Sequence, residues 1–288
     1  MPISYKTAVR RSLAALTRIT PVSVTIRAMS TRGLLPESVC RRLPVERSFH
    51  VQVPGTKGFN YTSHRRDGVG RDLYWRGLGH DGATIREFSS RCERASVVLD
   101  IGANSGLFTL LACTINPRVQ VIAFEPAPEV RRQLEANVKA NAFESRCVIR
   151  SEAASDSDGT ASLHLPHESW TSASLNAGGY HGLAGSTITI KTVTVDSIAE
   201  AYPAVDLVKI DVEGFEDKVL EGMQKTVDRC GPAIILECNV GGPATALNAF
   251  LSRHNYQCFL LGEELRQAAQ IDPALDRNHF NWLCIPKV

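Results

Sequence analysis

The segment VVLDIGANSG, residues 97–106, constrains the fold of this chain more than any other stretch. Its apolar run is interrupted by Asp100 just before Ile101, and glycines at positions 102 and 106 then flank Asn104. A short apolar run that ends in a glycine turn is typical of a buried strand. Glycine lets the backbone turn sharply and approach a ligand closely, because it carries no Cβ. We therefore predict a strand, a tight turn and a helix that begins near Ser105.

The rest of the chain alternates short apolar runs with helical periodicity. One helix is predicted through residues 107–113, and prolines at 126 and 128 open another, with Val130, Leu134 and Val138 on one face. Strands are predicted at residues 96–101, 119–124, 147–150, 205–210, 233–236, 257–261 and 280–285. This alternation indicates an α/β fold: a doubly wound, mainly parallel sheet with helices on both faces. Ligands of such sheets bind beyond the carboxyl ends of the strands.

Two further segments define the predicted domain organisation. Residues 159–165 and 187–194 are expected to pair as an antiparallel insertion, and the Ser-, Gly- and Ala-rich stretch between them predicts a loop that acts as a lid. We predict a basic, mostly helical N-terminal extension over residues 1–74. The main domain then covers residues 75–288, with the insertion and lid at about 159–194.

The net charge of +2 hides a basic N-terminus. Residues 1–50 hold nine Lys and Arg against two Asp and Glu, whereas the remainder is net negative. This leader is compatible with an organellar transit peptide, with peripheral contact to an anionic membrane or substrate, or with a helical arm packed on the main domain. A secretory signal is disfavoured, because Arg10, Arg11, Arg18 and Pro21 interrupt every apolar core.

Cysteine and histidine spacings exclude several classes of site. None of the eight cysteines forms a CxxC pair and no HxH or HxxxH pair occurs, so we predict no metal site and buried, reduced thiols in a cytoplasmic protein. No stretch of 18 apolar residues is present for a spanning helix. The negative charge beyond residue 50 argues against a nucleic-acid partner.

The glycine turn can be tested against known ligand cradles. A dinucleotide fingerprint that begins at Gly102 needs glycines at positions 104 and 107, where this chain has Asn104 and Leu107. A phosphate-binding P-loop needs a GK[ST] sequence, which does not follow. The turn therefore suits a ligand other than a pyrophosphate.

An amino-acid head group fits this turn better. Asp100 can meet an ammonium, while the N–H groups at the start of the helix face a carboxylate. Glu125 ends the next strand, and an acid at that position can accept hydrogen bonds from both hydroxyls of a ribose. An amino acid at the first turn and a ribose at the second predict S-adenosylmethionine.

The chain resembles FkbM-type methyltransferases in six blocks of its sequence. The similar blocks are VVLDIGANSGLFTLLA, VIAFEPAP, AASDSDGTASL, TVTVDSI, DLVKIDVEGFEDKVLEGM and AIILECN, of which KIDVEGFE is the most specific. They cover residues 75–285. The resemblance implies a seven-stranded, Rossmann-like class I methyltransferase fold, with S-adenosylmethionine as donor and a hydroxyl of a sugar, glycolipid or natural product as acceptor.

The resemblance also assigns roles to residues. It implies that the donor is bound by Asp100, Gly102, Ala103, Asn104, Gly106 and Glu125, and that adenine lies near Glu152 and Ala153. Glu152 is equally compatible with a solvated loop acid. Asp211, at the end of the fourth strand, is implied to lie beside the transferable methyl group.

Charged residues cluster at the end of this fourth strand. Asp211 is our first candidate for orienting the acceptor or accepting its proton, and Glu213 is the second. Lys209 points inward from an apolar strand and needs a partner, for which we propose Glu213 or Glu237. Glu216 suits the first turn of a helix whatever its function. A carboxylate deprotonates an alcohol efficiently only when burial raises its pKa.

Other candidates lie in the lid and near the domain start. They are His181 as an alternative base, Ser172 and Ser174 as ligand contacts, and Trp75, Trp170 and Tyr180 as an apolar wall or as core residues. Two observations disfavour other acceptor classes. The chain has DVEG after the fourth strand, where methyltransferases of amino groups often carry an NPPY-like turn, and it lacks the Pro-Cys pair of enzymes that methylate pyrimidine C5.

We therefore predict an S-adenosylmethionine-dependent O-methyltransferase with a small-molecule or glycan acceptor. The alternatives are a non-catalytic binder of the same donor, a methyltransferase for a non-hydroxyl acceptor and, less compatible with Asn104, a nicotinamide dehydrogenase. Peripheral membrane or organelle association through the basic N-terminus is compatible with each.

Overall fold

The computed structural model describes residues 25, 27–30, 37–40, 43–166, 175, 185–276 and 280–287. The chain divides into two compact units, Met1–Gly82 and Ala83–Val288, whereas the sequence placed the boundary after residue 74. Among the helices of the described ranges, none is long and apolar enough to cross a membrane. All eight cysteines lie in these ranges and are free, and seven of them are buried.

The first unit contains a β-hairpin that the sequence did not predict. Its elements are α1 (Glu37–Cys40), β1 (Arg47–Val51), β2 (Phe59–Ser63), α2 (Gly68–Arg76) and a 3₁₀ helix (Gly77–Asp81). Strands β1 and β2 pair antiparallel and bury alternate side chains. Each strand has only five residues, which gives too short an alternation to stand out from the sequence.

Helix α2 belongs to this unit, which explains where the boundary lies. Asp67 caps the helix by accepting a hydrogen bond from the N–H of Gly70 at 2.8 Å, and Tyr61 of β2 donates to the same carboxylate at 3.0 Å. Trp75 is fully buried and its indole N–H donates to the carbonyl of Leu43 at 2.9 Å. Trp75 is therefore a core residue and not part of a wall for a ligand.

The second unit alternates strands and helices. Its elements are α3 (Gly82–Cys92), β3 (Val97–Ile101), α4 (Leu107–Ile115), β4 (Gln120–Phe124), α5 (Pro128–Ala140), β5 (Cys147–Arg150), β6 (Ala153–Ser155), β7 (Gly159–Pro166), β8 (Gly185–Thr194), α6 (Val195–Ala199), β9 (Leu207–Ile210), α7 (Glu216–Glu221), α8 (Gln224–Cys230), β10 (Ala233–Glu237), α9 (Ala244–Arg253), β11 (Tyr256–Leu261), β12 (Leu265–Ala268) and β13 (Asn281–Pro286).

The central sheet confirms the predicted doubly wound α/β fold. Its strand order is β12-β11-β13-β10-β9-β3-β4-β5. Six strands run in one direction, and β13 and β12 run opposite. The sheet has eight strands where seven were expected. The additional strand is β12, whose mostly exposed residues lack the apolar run that predicted the others.

The order of the strands fixes where a ligand can bind. From β3 the chain proceeds to β4 and β5 on one side, and later to β9 and β10 on the other. Because crossovers between parallel strands are right-handed, helices of the two halves cover opposite faces. The strand order reverses between β3 and β9, and ligands bind at the carboxyl ends of strands at such a point.

A smaller sheet forms the predicted insertion. Strands β7 and β8 pair antiparallel from Gly159 to Thr192, which confirms the expected pairing, and β6 adds a third strand parallel to β8. Leu163 and Ile190 of this pair pack with Ala153.

The core of the second unit is formed by both faces of the central sheet. Every residue of β3 and β9 is buried. Strand β13 lies between β10 and β11, and its Trp282 and Cys284 have no exposed surface. The last strand along the described chain is therefore an interior strand.

Candidate active site

The turn after β3 lies directly against the end of β9. The N–H groups of Gly102 and Ala103 both donate to the carbonyl of Phe124, at 3.0 and 2.9 Å. Gly102 has a φ of +81°, and a Cβ at this position would lie 1.8 Å from the carbonyl oxygen of Asp211. Only glycine allows the two strand ends to approach this closely.

The remainder of the turn is held by its own side chains. Asn104 has a φ of +50°, and its Oδ1 accepts hydrogen bonds from the N–H and the hydroxyl of Ser105 at 2.8 and 3.2 Å. Gly106, with a φ of +102°, donates its N–H to Ala103 at 2.9 Å. Helix α4 begins at the next residue, and the N–H groups of a first helical turn have no intrahelical partner. These groups can receive an anionic ligand.

Asp100 links the end of β3 to α4 by a side-chain hydrogen bond. It is 1% exposed, and the hydroxyl of Thr109 donates to its Oδ2 at 2.6 Å. Burial raises the pKa of Asp100 to about 6, against the lowering effects of the Thr109 hydrogen bond and the Lys209 charge. Its predicted contact with a donor ammonium stays a prediction.

Glu125 joins the first turn to the end of β4. Its Oε2 accepts a hydrogen bond from the N–H of Asn104 at 2.9 Å, and its Oε1 accepts one from Ala127 at 2.8 Å. Burial raises the pKa of Glu125 to about 7, although both hydrogen bonds lower it. A carboxylate offers about four lone-pair positions, so each oxygen can accept a further hydrogen bond from a diol.

The residues predicted to lie near adenine follow β5. Glu152 accepts a hydrogen bond from the guanidinium of Arg150 at 2.7 Å. Ala153 is buried and packs with Ala127 and Val130, which follow Glu125 in the chain. The structure thus brings Ala153 beside the Glu125 loop, while Glu152 is engaged by its neighbour.

A buried lysine lies at the end of β9. Lys209 is 1% exposed, and its Nζ donates to the carbonyl of Ile210 at 3.3 Å and lies 3.4 Å from Oδ2 of Asp211. From the sequence we expected Glu213 or Glu237 as the partner of this lysine, whereas the ion pair shown is with Asp211. Its positive charge does lower the pKa of both glutamates, in addition to the ion pair with Asp211.

Four carboxyl groups interact electrostatically with one another near the end of β9, and we call them the acidic cluster: Asp211, Glu213, Glu216 and Glu237. Burial, reinforced by the neighbouring carboxylates, raises the pKa of Glu213 to about 9 and that of Glu237 to about 8. The cluster can therefore hold protons near neutral pH. In the described ranges, no group of three or more His, Cys, Asp or Glu side chains is placed to hold a metal ion.

Glu216 has a structural role within the acidic cluster. It is 2% exposed, and its Oε1 accepts hydrogen bonds from the N–H groups of Val212 and Gly214 at 3.3 and 3.1 Å. These bonds shape the loop between β9 and α7. Burial raises the pKa of Glu216 to about 7.

We expect the substitution Glu216→Gln to make the protein increasingly stable relative to wild type as the pH rises. The pKa of Glu216 is raised in the folded state, so its carboxyl group makes folding less favourable as pH increases from about 4.5 to about 7. Glutamine keeps an acceptor oxygen and cannot ionise. Urea unfolding at pH 5 and pH 8 should show the free energy of unfolding of the variant rising relative to wild type, on the order of 2 kcal/mol. An equal difference at both pH values would contradict this.

Some site residues were not predicted from the sequence as part of the site. Thr109 and Asn239 were not singled out, and Glu237 was considered only as a partner for Lys209. The sequence feature that could have identified Glu237 is its position at the end of an apolar strand. This position points to the site only when β10 is known to lie beside β9. The lid candidates lie outside the described residues: Trp170, Ser172, Ser174, Tyr180 and His181.

Comparison with known proteins identifies this architecture. A model of the methyltransferase FkbM domain matches residues 100–258, more than half of the chain. The hexuronic acid methyltransferase AglP of Haloferax volcanii is 29% identical over 160 residues, covering 54% of this chain and 62% of that protein. The 31-O-demethyl-FK506 methyltransferase FkbM of Streptomyces tacrolimicus is 34% identical over 172 residues, covering 48% of this chain and 66% of that protein.

A solved structure adds one further likeness. The methyltransferase FkbM from Methylobacillus flagellatus aligns with a TM-score of 0.42 at 14% identity, covering 72% of this chain and 59% of that one. The domain match begins at Asp100 of the first turn and runs through β9, β10 and part of β11. By this match, the chain belongs to the FkbM methyltransferase family.

Proposed function

We propose that this protein is an S-adenosylmethionine-dependent O-methyltransferase whose acceptor is a hydroxyl of a sugar, glycolipid or natural product. The observation that carries the proposal is the close packing of the Gly102 turn against the carbonyl of Asp211. This packing brings the predicted donor turn and the predicted acceptor carboxylate to one point of the sheet.

The residues present fit the proposed donor. The first N–H groups of α4 would hold its carboxylate, and the remaining lone pairs of Glu125 would accept hydrogen bonds from its ribose hydroxyls. Gly102 and Gly106 shape the turn by packing against the protein itself, since a Cβ would lie 1.8 Å from the carbonyl oxygen of Asp211 and 2.6 Å from Cδ1 of Leu134. When bound, the donor supplies an electrophilic methyl group on a sulfonium. Everything else that the reaction needs is orientation of the acceptor and removal of its proton.

Asp211 is our candidate for orienting the acceptor. Its side chain is 37% exposed, while its backbone N–H is fixed by the carbonyl of Ile101 at 2.9 Å and its carboxylate by Lys209. A carboxylate held in this way can accept a hydrogen bond from an incoming hydroxyl. Correct orientation alone can supply several kcal/mol of the lowering of the barrier, up to about 7–11 in favourable cases.

The named relatives support the acceptor class. One carries hexuronic acid in its name and the other 31-O-demethyl-FK506, and both are called methyltransferases. The matches span 62% and 66% of these two relatives, so their substrates enter only as a guide. We infer a hydroxylated small molecule or glycan and leave its scaffold to the experiment.

The proposal is tested by binding and by transfer. Calorimetry should show S-adenosylmethionine and S-adenosylhomocysteine binding, and incubation with methyl-labelled donor and a panel of hydroxylated acceptors should show label on an acceptor oxygen. Donor binding without transfer to any hydroxyl would instead support a non-catalytic binder. Binding of a nicotinamide dinucleotide in place of the donor would overturn the proposal.

We expect Asp211→Asn to lower kcat by about 10- to 100-fold with little change in donor affinity, because the amide orients a hydroxyl less strongly than a carboxylate does. The matched control is Asp206→Asn at the opposite end of β9. Asp206 accepts hydrogen bonds from Ser96 and Val97 at 2.7 and 3.0 Å and lies far along the strand from the site. Equal kcat values for the two variants would contradict the role of Asp211.

A further inference from the structure

A second strand end adds a carboxyl group to the site. Strand β10 lies beside β9 with Leu236 opposite Ile210, so Glu237, the last residue of β10, lies level with Asp211, the first residue after β9. The side-chain amide of Asn239 donates to Oε1 of Glu237 and fixes this carboxyl group. Two acids therefore leave neighbouring strands at the same edge of the sheet.

Glu213 approaches the same place from the loop after β9. It has a φ of +56°, a conformation that non-glycine residues rarely adopt and that tends to persist where surrounding structure imposes it. The charged groups that act on Glu213 are Asp211, Glu216, Glu237 and Lys209, and those that act on Glu237 include Asp211, Glu216 and Lys209. The buried ammonium of Lys209 thus lies 3.4 Å from Asp211 and lowers the pKa of both Glu213 and Glu237.

Asn281 provides an independent observation on the same face. It pairs with Glu237 across β13 and β10, and side chains of directly paired residues project to the same side of a sheet. Asn281 is 8% exposed, and its Oδ1 has no hydrogen-bond partner among the residues that the structure describes. A buried acceptor of this kind is matched by a hydroxyl or a protonated carboxyl group.

We propose, on the basis of the proposed function, that Glu237 and Glu213 form a carboxyl pair that shares one proton and accepts the proton of the acceptor hydroxyl during methyl transfer. The pair combines a strand-end group with a loop group, and Lys209 supplies its counter-charge. Asp211 keeps the orienting role, and the unpartnered oxygen of Asn281 marks where a donor hydrogen is expected.

The acceptor oxygen forms a bond to the methyl carbon, and the bond between that carbon and sulfur breaks with its electron pair left on sulfur. The hydroxyl proton passes to the ionised member of the carboxyl pair. The pair later returns this proton to water, so no oxidant, reductant or metal is required.

The pKa directions agree with this geometry. Burial and the neighbouring carboxylates raise the pKa of Glu213 to about 9 and of Glu237 to about 8, so the pair gains its negative charge as the pH rises through this range. A base with a raised pKa is better matched to an alcohol than an ordinary carboxylate is.

The test compares two nucleosides and needs no acceptor. S-adenosylmethionine carries a sulfonium charge that S-adenosylhomocysteine lacks, and an adjacent ionised pair favours that charge. Calorimetry should therefore show the ratio of their dissociation constants shifting by about fivefold or more in favour of S-adenosylmethionine between pH 6.5 and pH 9. Titration of Glu125 cancels in this ratio, because both nucleosides carry the same ribose.

Variants separate the pair from other titrating groups. Glu237→Gln and Glu213→Gln should each flatten the pH dependence of the ratio, whereas the exposed Glu264→Gln should leave it unchanged. Once an acceptor has been identified, the kcat of the wild-type enzyme should rise with pH. Glu237→Gln should lower kcat about 100-fold, and Glu237→Asp should recover part of it. Two variants are used so that a folding defect in one does not decide the result.

The outcomes of this experiment are distinct. If both nucleosides bind with a pH-independent ratio, or if the glutamine variants keep the wild-type pH dependence, the carboxyl pair is overturned while donor binding stands. If neither nucleoside binds, the proposed function itself fails.

Discussion

Replacing Gly102 with alanine is expected to destabilise the second unit by about 3–5 kcal/mol and to abolish donor binding. The new methyl group would lie 1.8 Å from the carbonyl oxygen and 2.8 Å from the carbonyl carbon of Asp211, and both are backbone atoms that a side-chain rotation cannot move. The φ of +81° adds further strain for any residue with a Cβ. Either the first turn or the loop after β9 must therefore shift, and the site is built from both.

Thermal unfolding and donor calorimetry measure this effect. The midpoint should fall by roughly 10 °C in a domain of this size. Gly159→Ala is the matched control, because Gly159 is also in the second unit and a Cβ there would meet only Thr192, at an ordinary 3.6 Å. A Gly102→Ala protein with the midpoint and donor affinity of that control would show that the strand ends are not held together as described.

Replacing Lys209 with methionine is expected to lower the free energy of unfolding by about 2–4 kcal/mol at pH 8, and by less at pH 6. Methionine fills the space but removes the positive charge that lowers the pKa of Asp100, Glu213 and Glu237. At pH 6 both glutamates are protonated and Asp100 is about half ionised, whereas at pH 8 Asp100 is ionised and Glu237 is about half ionised, so a missing cation matters less at pH 6. The destabilisation should therefore increase with pH.

Lys218→Met provides the comparison for this variant. Lys218 forms an ion pair with Asp156 at 2.8 Å, but both side chains are more than one third exposed, and such pairs typically contribute less than about 1 kcal/mol. Denaturant unfolding of both variants at the two pH values distinguishes a buried counter-charge from a surface pair. A pH-independent loss in Lys209→Met, or one no larger than in Lys218→Met, would refute the counter-charge role of Lys209.

Much of the second unit could be predicted because its strands are buried on both faces. Strands such as Val97–Ile101 and Gln120–Phe124 are continuous apolar runs, which stand out from any single sequence. The hairpin of β1 and β2 has one exposed face and short strands, and β12 is an exposed edge. The short, partly polar sequences of these strands cannot be told from loop sequences until their pairing with distant strands is known.

The grouping of the candidate site residues could be predicted to the extent that it depends on strand ends. Gly102, Glu125 and Asp211 each follow a recognisable strand, and parallel strands bring their carboxyl ends to one edge. The contribution of Glu237 depends on β10 lying beside β9, which no local pattern encodes. The direction of each pKa shift likewise depends on burial and on charges brought together from distant parts of the chain.

The position of β13 has a consequence for how the protein is made. Strands β10 and β11 are both paired with residues 281–286 and not with each other. A nascent chain that has not yet emerged past this segment cannot add β11 and β12 to the sheet, although β4, β3, β9 and β10, whose ends form the candidate site, can already pair with one another. Pairings this distant slow folding and leave the apolar edge of β10 and the strand β11 exposed to aggregation until β13 is in place.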